Sequence, residues 1–417
     1  VIQEIQGLKV PVKMTILGNG LTVITIETGS ELVTAEFAFR VGAIHDPEGF
    51  EGTAHFLEHM LFEGPARDDV HPKLKTLAWR AVVGYAWTNP FCTWYGLTGL
   101  TEDFNEMLHA LYSICFEPIF GTENIEAERP VIEQEMRQAY IDRNNEFNFW
   151  CNSELYPNTP VLSRSGCGTK ESIKKINEKN LLDFFNAYYS FKNAVLIVSG
   201  GLSHDQVLEQ VVLLEPIEKN AVLVLPQELI HFEAGLNLSF GDKNGNSKIK
   251  FYFPHPQNLR DDVYLGKARA LLSDFPFGFL MQRLRGKHSL VYSIDVGSDG
   301  FPCFITCFSM PTDANHFDVV QEILLEEIER VQNDLYDDKY FQYLRIYSKM
   351  AQIESNEKKR SNGKFINILR ERWLEADYEF EKEKYVTRMT REDLVRVARE
   401  YLDPAKMSII RVVPFKK

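Results

Sequence analysis

The chain has 417 residues, 44% hydrophobic and 25% charged, with a formal net charge of −13, the make-up of a globular protein with room for two or three domains. The acidic balance excludes a general nucleic-acid binder, which needs a basic face, and leans toward basic or neutral peptides. No apolar run approaches the ~18–20 residues of a membrane span, and no signal-peptide pattern precedes the first domain.

Taken in order, residues 14–28 read as a hairpin, with Asn19-Gly20 the turn signal between β-rich runs. Leu32 to Val41 is a strand ended by Gly42, and Asp46 to Gly49 is a loop. Thr53 is placed to cap the helix that follows. A polar loop near Pro65–Pro72 leads to a helix over Lys73–Val82. Gly84 to Leu100 reads as two strands, and helices are predicted at about 102–116 and 122–143.

The helix opened by Thr53 carries His55-Phe56-Leu57-Glu58-His59. At helical spacing His55 and His59 stand one turn apart on one face, with Glu58 beside them. Two imidazoles so placed can bind one Zn²⁺, and a carboxylate that is not a ligand can take a proton from water. The apolar residues at 56, 57, 60 and 61 cover the other faces. A pair of satisfied core histidines is the bland alternative. Three buried polar groups without partners would cost roughly 1–3 kcal/mol each, and a metal removes that cost.

Farther along, Glu128 and Glu135 lie two turns apart on one helix face, and Glu133 points elsewhere. Such a pair offers one zinc ligand and one group that orients a histidine; a solvated acidic face is the alternative reading. The six cysteines (Cys92, Cys115, Cys151, Cys167, Cys303 and Cys307) form no CxxC pair, and free buried thiols without an assigned role are expected.

The chain also repeats itself. A helix, Tyr188 and the strand Ala194–Val198 recur as a helix, Tyr401 and the strand Met407–Val412. Thr101-Glu-Asp-Phe104 and Thr312-Asp-Ala-Asn315 each open a helix after a strand, at nearly the same offset. Two tandem copies of one α+β domain are therefore expected, 1–215 and 228–417, joined by a linker at 216–227. The metal motif shifted by that offset falls on Gly266–Ala270, which has no ligands, so only the first copy can carry zinc.

The order HxxEH, then Glu-Arg-x-Val-Ile-x-x-Glu with Glu135 lying 76 positions after His59, resembles the inverzincins, the pitrilysin, insulin-degrading enzyme and mitochondrial processing peptidase superfamily. Asn19–Val23, Gly166-Cys167-Gly168-Thr169 and Tyr188–Gly200 extend the likeness over essentially the whole chain. The resemblance implies an α+β fold of two homologous domains, each a mostly antiparallel sheet flanked by helices. It also implies a zinc endopeptidase with one Zn²⁺ per chain, ligated by His55, His59 and Glu135. Glu58 would be the general base and Glu128 the carboxylate that holds a ligand histidine. Arg285-Gly-Lys-His-Ser-Leu-Val-Tyr292 resembles the family's Arg/Tyr motif, which reaches the scissile carbonyl from the second domain; the alternative is a basic helix end followed by a strand aromatic. One departure stands out: Tyr85-Ala86 occupies the place of the family's Asn-Ala on the edge strand. Ala86 keeps its main-chain groups for substrate pairing, and Tyr85 is expected to narrow the cleft.

The half-size length is similar to members in which two chains close around a chamber for short or unfolded peptides. A homodimer is expected first, a heterodimer with a related metal-free chain second, and a non-catalytic scaffold last, because the motif is intact. The expected compartment is the cytoplasm, with periplasm or organelle matrix left open because the first residue is Val1.

Overall fold

The computed structural model describes residues 3–4, 11–63, 72–215, 230–274, 277–299, 305–358 and 384–415. The predicted loop before Pro72, the linker at 216–227 and Cys303 lie outside these residues, almost entirely in the first case. The described chain forms two compact units.

The first unit holds strands β1 (Gln3–Glu4), β2 (Val12–Ile16), β3 (Thr22–Glu27), β4 (Leu32–Phe39), β5 (Val83–Thr88), β6 (Thr93–Leu100) and β7 (Ala194–Gly200). They build one sheet in the order β1-β2-β3-β7-β4-β6-β5. Every pairing is antiparallel except β3 with β7. The β2–β3 hairpin turns where expected, because Gly20 takes φ +91° and the Asn19 side chain accepts from the Leu21 N–H. Central β4 is buried from Val33 onward, whereas β5 is an edge strand with pairing on one side only among the described strands.

Helices α1 (Thr53–Glu63), α2 (Pro72–Ala78), α3 (Phe104–Phe116), α4 (Thr122–Ile141), α5 (Arg143–Leu155), α6 (Lys170–Lys175), α7 (Glu178–Tyr188) and α8 (His204–Val211) follow in chain order. Val33, Ala35, Phe37 and Phe39, alternate residues of β4, enter one apolar core with Phe56, Leu57, Met60 and Leu61 of α1 and Leu108 and Leu111 of α3. At roughly 25 cal/mol per Å² of apolar surface, burial of each large side chain there contributes about 1.5–3 kcal/mol. The predicted helix over Lys73–Val82 stops at Ala78, since Ala81 takes the left-handed φ of +59°.

The second unit repeats the plan. Strands β8 (Asn237–Asp242), β9 (Lys248–Pro254), β10 (Asp295–Asp299), β11 (Ile305–Pro311) and β12 (Ser408–Pro414) run in the order β10-β11-β9-β12-β8, with β12 parallel to β8 and the rest antiparallel. The parallel pair β3/β7 thus has its counterpart in β8/β12. Helices α9 (Leu259–Ser273), α10 (Phe317–Gln332), α11 (Asp338–Lys358) and α12 (Arg391–Tyr401) accompany the sheet. Starts of α3 and α10, and of α7 and α12, are each 213 residues apart, and Tyr188 and Tyr401 end their helices.

Trp150–Thr159 groups with the second unit, where Trp150 packs on Phe240 at 5.0 Å, the Cys151 thiol donates to the Tyr252 hydroxyl at 3.2 Å and the Glu233 N–H donates to the Leu155 carbonyl.

Candidate metal centre

α1 forms as its apolar pattern requires: Ala54, Phe56, Leu57, Met60 and Leu61 are buried, which leaves His55, Glu58 and His59 on the remaining stripe. Its start differs from the expected one. Thr53 lies inside the helix and its hydroxyl donates back to the Phe50 carbonyl. The cap comes from Asp46, whose carboxylate accepts from the Gly52 N–H at 2.7 Å and the Ala54 N–H at 2.8 Å. A carboxylate reaching in from the preceding loop satisfies two N–H groups at once, which Thr53 cannot do from within the first turn. Burial pushes the Asp46 carboxyl up to about 7, against the pull of those two donors.

The imidazoles of His55 and His59 have centroids 4.6 Å apart. One oxygen of Glu135, Oε2, stands 3.5 Å from His55 Nε2 and 3.4 Å from His59 Nε2. On its other side, His59 Nδ1 lies 2.9 Å from Glu128 Oε1. Glu58 Oε2 is 4.0 Å from His55 Nε2 and accepts from the Thr88 hydroxyl at 3.0 Å, so the last residue of β5 fixes the carboxyl on α1. The histidines and Glu58 are largely buried, whereas the Glu135 side chain is 43% exposed and opens the cluster to solvent.

α4 carries both glutamates and continues through Pro130, held by Ile125, Ile132 and Met136 in the core. Arg129, next to Glu128, anchors it. Its guanidinium donates to the carbonyls of Ile173 and Ile176 at the end of α6 and stacks 5.5 Å from the Phe56 ring on α1. This one side chain ties the glutamate helix to the histidine helix.

The electrostatics divide the two histidines. Burial, and then the charge on His59, push His55 down to about 4, so it is neutral with a lone pair to give. Burial alone would lower His59, but its hydrogen bonds to Glu128 and Glu135 outweigh that and raise it to about 10. The bond from His59 holds Glu135 below the usual carboxylate range. Two Nε2 atoms and one carboxylate oxygen therefore converge on one point. Ligand atoms 2.0–2.1 Å from a tetrahedral zinc are about 3.4 Å apart, and the 3.4 and 3.5 Å separations at Glu135 meet that requirement. His55 Nδ1 is buried without a hydrogen-bond partner among the described residues. The donor set fits a zinc ion.

Tyr85 and Ala86 lie on β5 as expected. Glu36, Gly96 and Tyr85 stand in one row across β4, β6 and β5. A Cβ at Gly96 would meet the Tyr85 ring, and the Tyr85 hydroxyl donates to Glu36 Oε2 at 2.9 Å. The ring thus lies along the sheet, because the missing side chain at Gly96 leaves it a bed. Thr88, Glu36, Asp46 and Arg129 were all missed by sequence reasoning. Only Arg129, inside the quoted glutamate motif, carried a local signal.

In the second unit Arg285 lies in a π-helical turn, Met281–Lys287, an arrangement frequent at functional sites. Its guanidinium sits 4.9 Å from the centroid of the Tyr292 ring, so the predicted pair is brought together. Ser273, Asp274 and Met281 line the same depression, and Tyr292 is 79% exposed.

Residues 22–148 match a family model described as "Insulinase (Peptidase family M16)", and residues 175–346 match one described as "Peptidase M16 inactive domain". The chain is 33% identical over 198 residues to the mitochondrial-processing peptidase subunit beta of Bos taurus, an alignment covering 47% of this chain and 40% of that relative. The matched stretch is thus less than half of the relative's length. A protease from Helicobacter pylori superposes with a TM-score of 0.77 at 19% identity, covering 97% of this chain and 99% of its own. Pitrilysin superposes with a TM-score of 0.78 at 16% identity, over 99% of this chain and 46% of its own. These two likenesses are of fold.

Proposed function

Because the chain belongs to peptidase family M16, we propose that it is a zinc-dependent endopeptidase that cleaves short or unfolded peptides within a chamber formed by a dimer. The observation that carries the reading is the approach of one Glu135 oxygen to both His55 Nε2 and His59 Nε2 at 3.5 and 3.4 Å. In this reading His55, His59 and Glu135 hold the ion, and Glu128 fixes the ring of His59 from behind. Zinc, when bound, supplies a Lewis acid and lowers the pKa of water to about 7.

The chain's own groups then have distinct tasks. Glu58 takes the proton of the attacking water and passes it to the leaving amine, with its carboxyl aimed by Thr88. Substrate adds as a strand along the edge of β5 that pairs with no other described strand, near Tyr85 and Ala86, using main-chain hydrogen bonds. Arg285 and Tyr292 contact the scissile carbonyl and stabilise its developing charge.

Replacing Glu58 by Gln tests this. The variant should keep its zinc while hydrolysis of a quenched fluorogenic peptide falls by several powers of ten; unchanged turnover rejects the assignment. A heterodimer with a metal-free partner is the second reading, favoured by the relative's description as a subunit beta. Native mass spectrometry of the chain expressed alone separates the two: a stable, active homodimer removes the need for a partner.

A further inference from the structure

The centre contains a nucleophile that the hydrolytic reading leaves unused. The ligating atoms of His55, Glu135 and Cys167 all lie within 4.8 Å of one another. Cys167 is half-buried and packs against the core of the first unit. It also falls between the two stretches that match the family models, 22–148 and 175–346.

Its position is enforced by backbone contact. A Cβ at Gly52 would strike the Cys167 carbonyl, and one at Gly168 would strike the Glu51 carbonyl. Both glycines take left-handed φ values, +95° and +86°. Ser172 adds a hydrogen bond from its hydroxyl to the Glu51 carbonyl at 2.7 Å. The Ser165–Thr169 turn is thereby pressed against Gly52 and Glu51, which lead into α1 three and four positions before His55.

We propose that Cys167 is a fourth protein ligand to the ion held by His55, His59 and Glu135, closing the centre in its resting state. This rests on the zinc reading above. Ligand atoms spanning a tetrahedral zinc with Zn–S ≈ 2.3 Å and Zn–N ≈ 2.0 Å are about 3.6 Å apart. Toward His55 and Glu135, which share the 4.8 Å limit with it, the thiol has up to about 1.2 Å to close, within reach of a side-chain rotation. On coordination the S–H bond breaks, the proton leaves to solvent, and a sulfur lone pair fills the position water would take. A divalent ion favours the thiolate over the thiol. Peptide substrate must then displace the thiolate, which makes the centre self-limiting.

Cobalt(II) reports thiolate ligation directly. Wild-type protein, Cys167→Ala and Cys167→Ser are each titrated with cobalt(II) and their spectra recorded. The wild type should show near-ultraviolet thiolate-to-cobalt charge transfer, absent from both variants. Zinc affinity of the variants, by competition with a chelator, should fall by at least the roughly tenfold seen on loss of an outer hydrogen-bond partner. Should neither variant fold, zinc-edge X-ray absorption of the wild-type holoprotein decides, through a sulfur shell near about 2.3 Å. One cobalt per chain with no charge-transfer band, or a zinc shell of nitrogen and oxygen only, overturns the proposal and leaves the zinc reading intact. No metal uptake by the wild type overturns both.

Discussion

His59 Nδ1 and Glu128 Oε1 are 2.9 Å apart, across 69 residues of sequence. The bond leaves only Nε2 of that ring facing His55 and Glu135, so Glu128 fixes which nitrogen can bind a metal. Glu128→Ala should therefore weaken zinc binding by about 10–100-fold, measured by chelator competition. Glu123→Ala, exposed in the first turn of the same helix, should leave it unchanged.

Metal uptake should release a proton. Without metal, His59 is held protonated to about pH 10 by Glu128 and Glu135, although burial pulls the other way, whereas His55 is already neutral above about pH 4. Between pH 6 and 8, zinc binding should thus expel close to one proton per chain from His59, and a second where Cys167 binds as the thiolate, with affinity rising about tenfold per pH unit for each proton released. Calorimetry in buffers of different ionisation enthalpy reads the proton count; a count of zero would contradict this assignment.

Tyr85→Phe removes the hydroxyl bond to buried Glu36 and should destabilise the first unit by about 1–2 kcal/mol. Gly96→Ala should have a larger effect on peptide turnover, because its methyl group lifts the ring off the sheet beside the substrate edge. Overpacking there costs about 1–3 kcal/mol by denaturant titration. Equal turnover in wild type and Gly96→Ala would show that the ring's position is immaterial.

Acid stability in the second unit should depend on Asp261. Burial favours its neutral acid, but bonds from Arg396 and Asn258 outweigh this and pull its pKa down to about 2. The folded pKa is depressed, so the stabilisation is present above the unfolded value of about 3.9 and is lost as pH falls through about 2. Asp261→Asn should lower stability at pH 7 by about 2 kcal/mol, with the difference closing by pH 2 in thermal melts. A constant difference across that range would point to packing alone.

Absence of zinc should be reversible. Phenanthroline should abolish peptide hydrolysis and added zinc should restore it, with the far-ultraviolet circular dichroism unchanged, because α1 and α4 are held by their own apolar faces and by Arg129. Collapse of the helical signal on chelation would instead make the ion a folding element.

The sequence by itself determined whatever depends on local periodicity. His55 and His59 had to share a helix face, Asn19-Gly20 had to turn, and repeated landmarks such as Tyr188 and Tyr401 announced two copies of one domain before any strand was paired. Those features follow from a 3.6-residue helical period, turn chemistry and internal repetition, all readable within short windows. Tertiary structure alone decided how distant segments meet. Periodicity placed Glu128 and Glu135 on one face without saying which would reach the Nε2 atoms and which would bond Nδ1; packing of α4 against α1, set by Arg129 on Phe56 and the end of α6, makes that choice. The same holds for Asp46 in place of Thr53 as the cap, for Tyr85 lying on Gly96, and for Cys167 beside His55. Each arises from side chains that are neighbours only after the sheet and helices have closed around a common core.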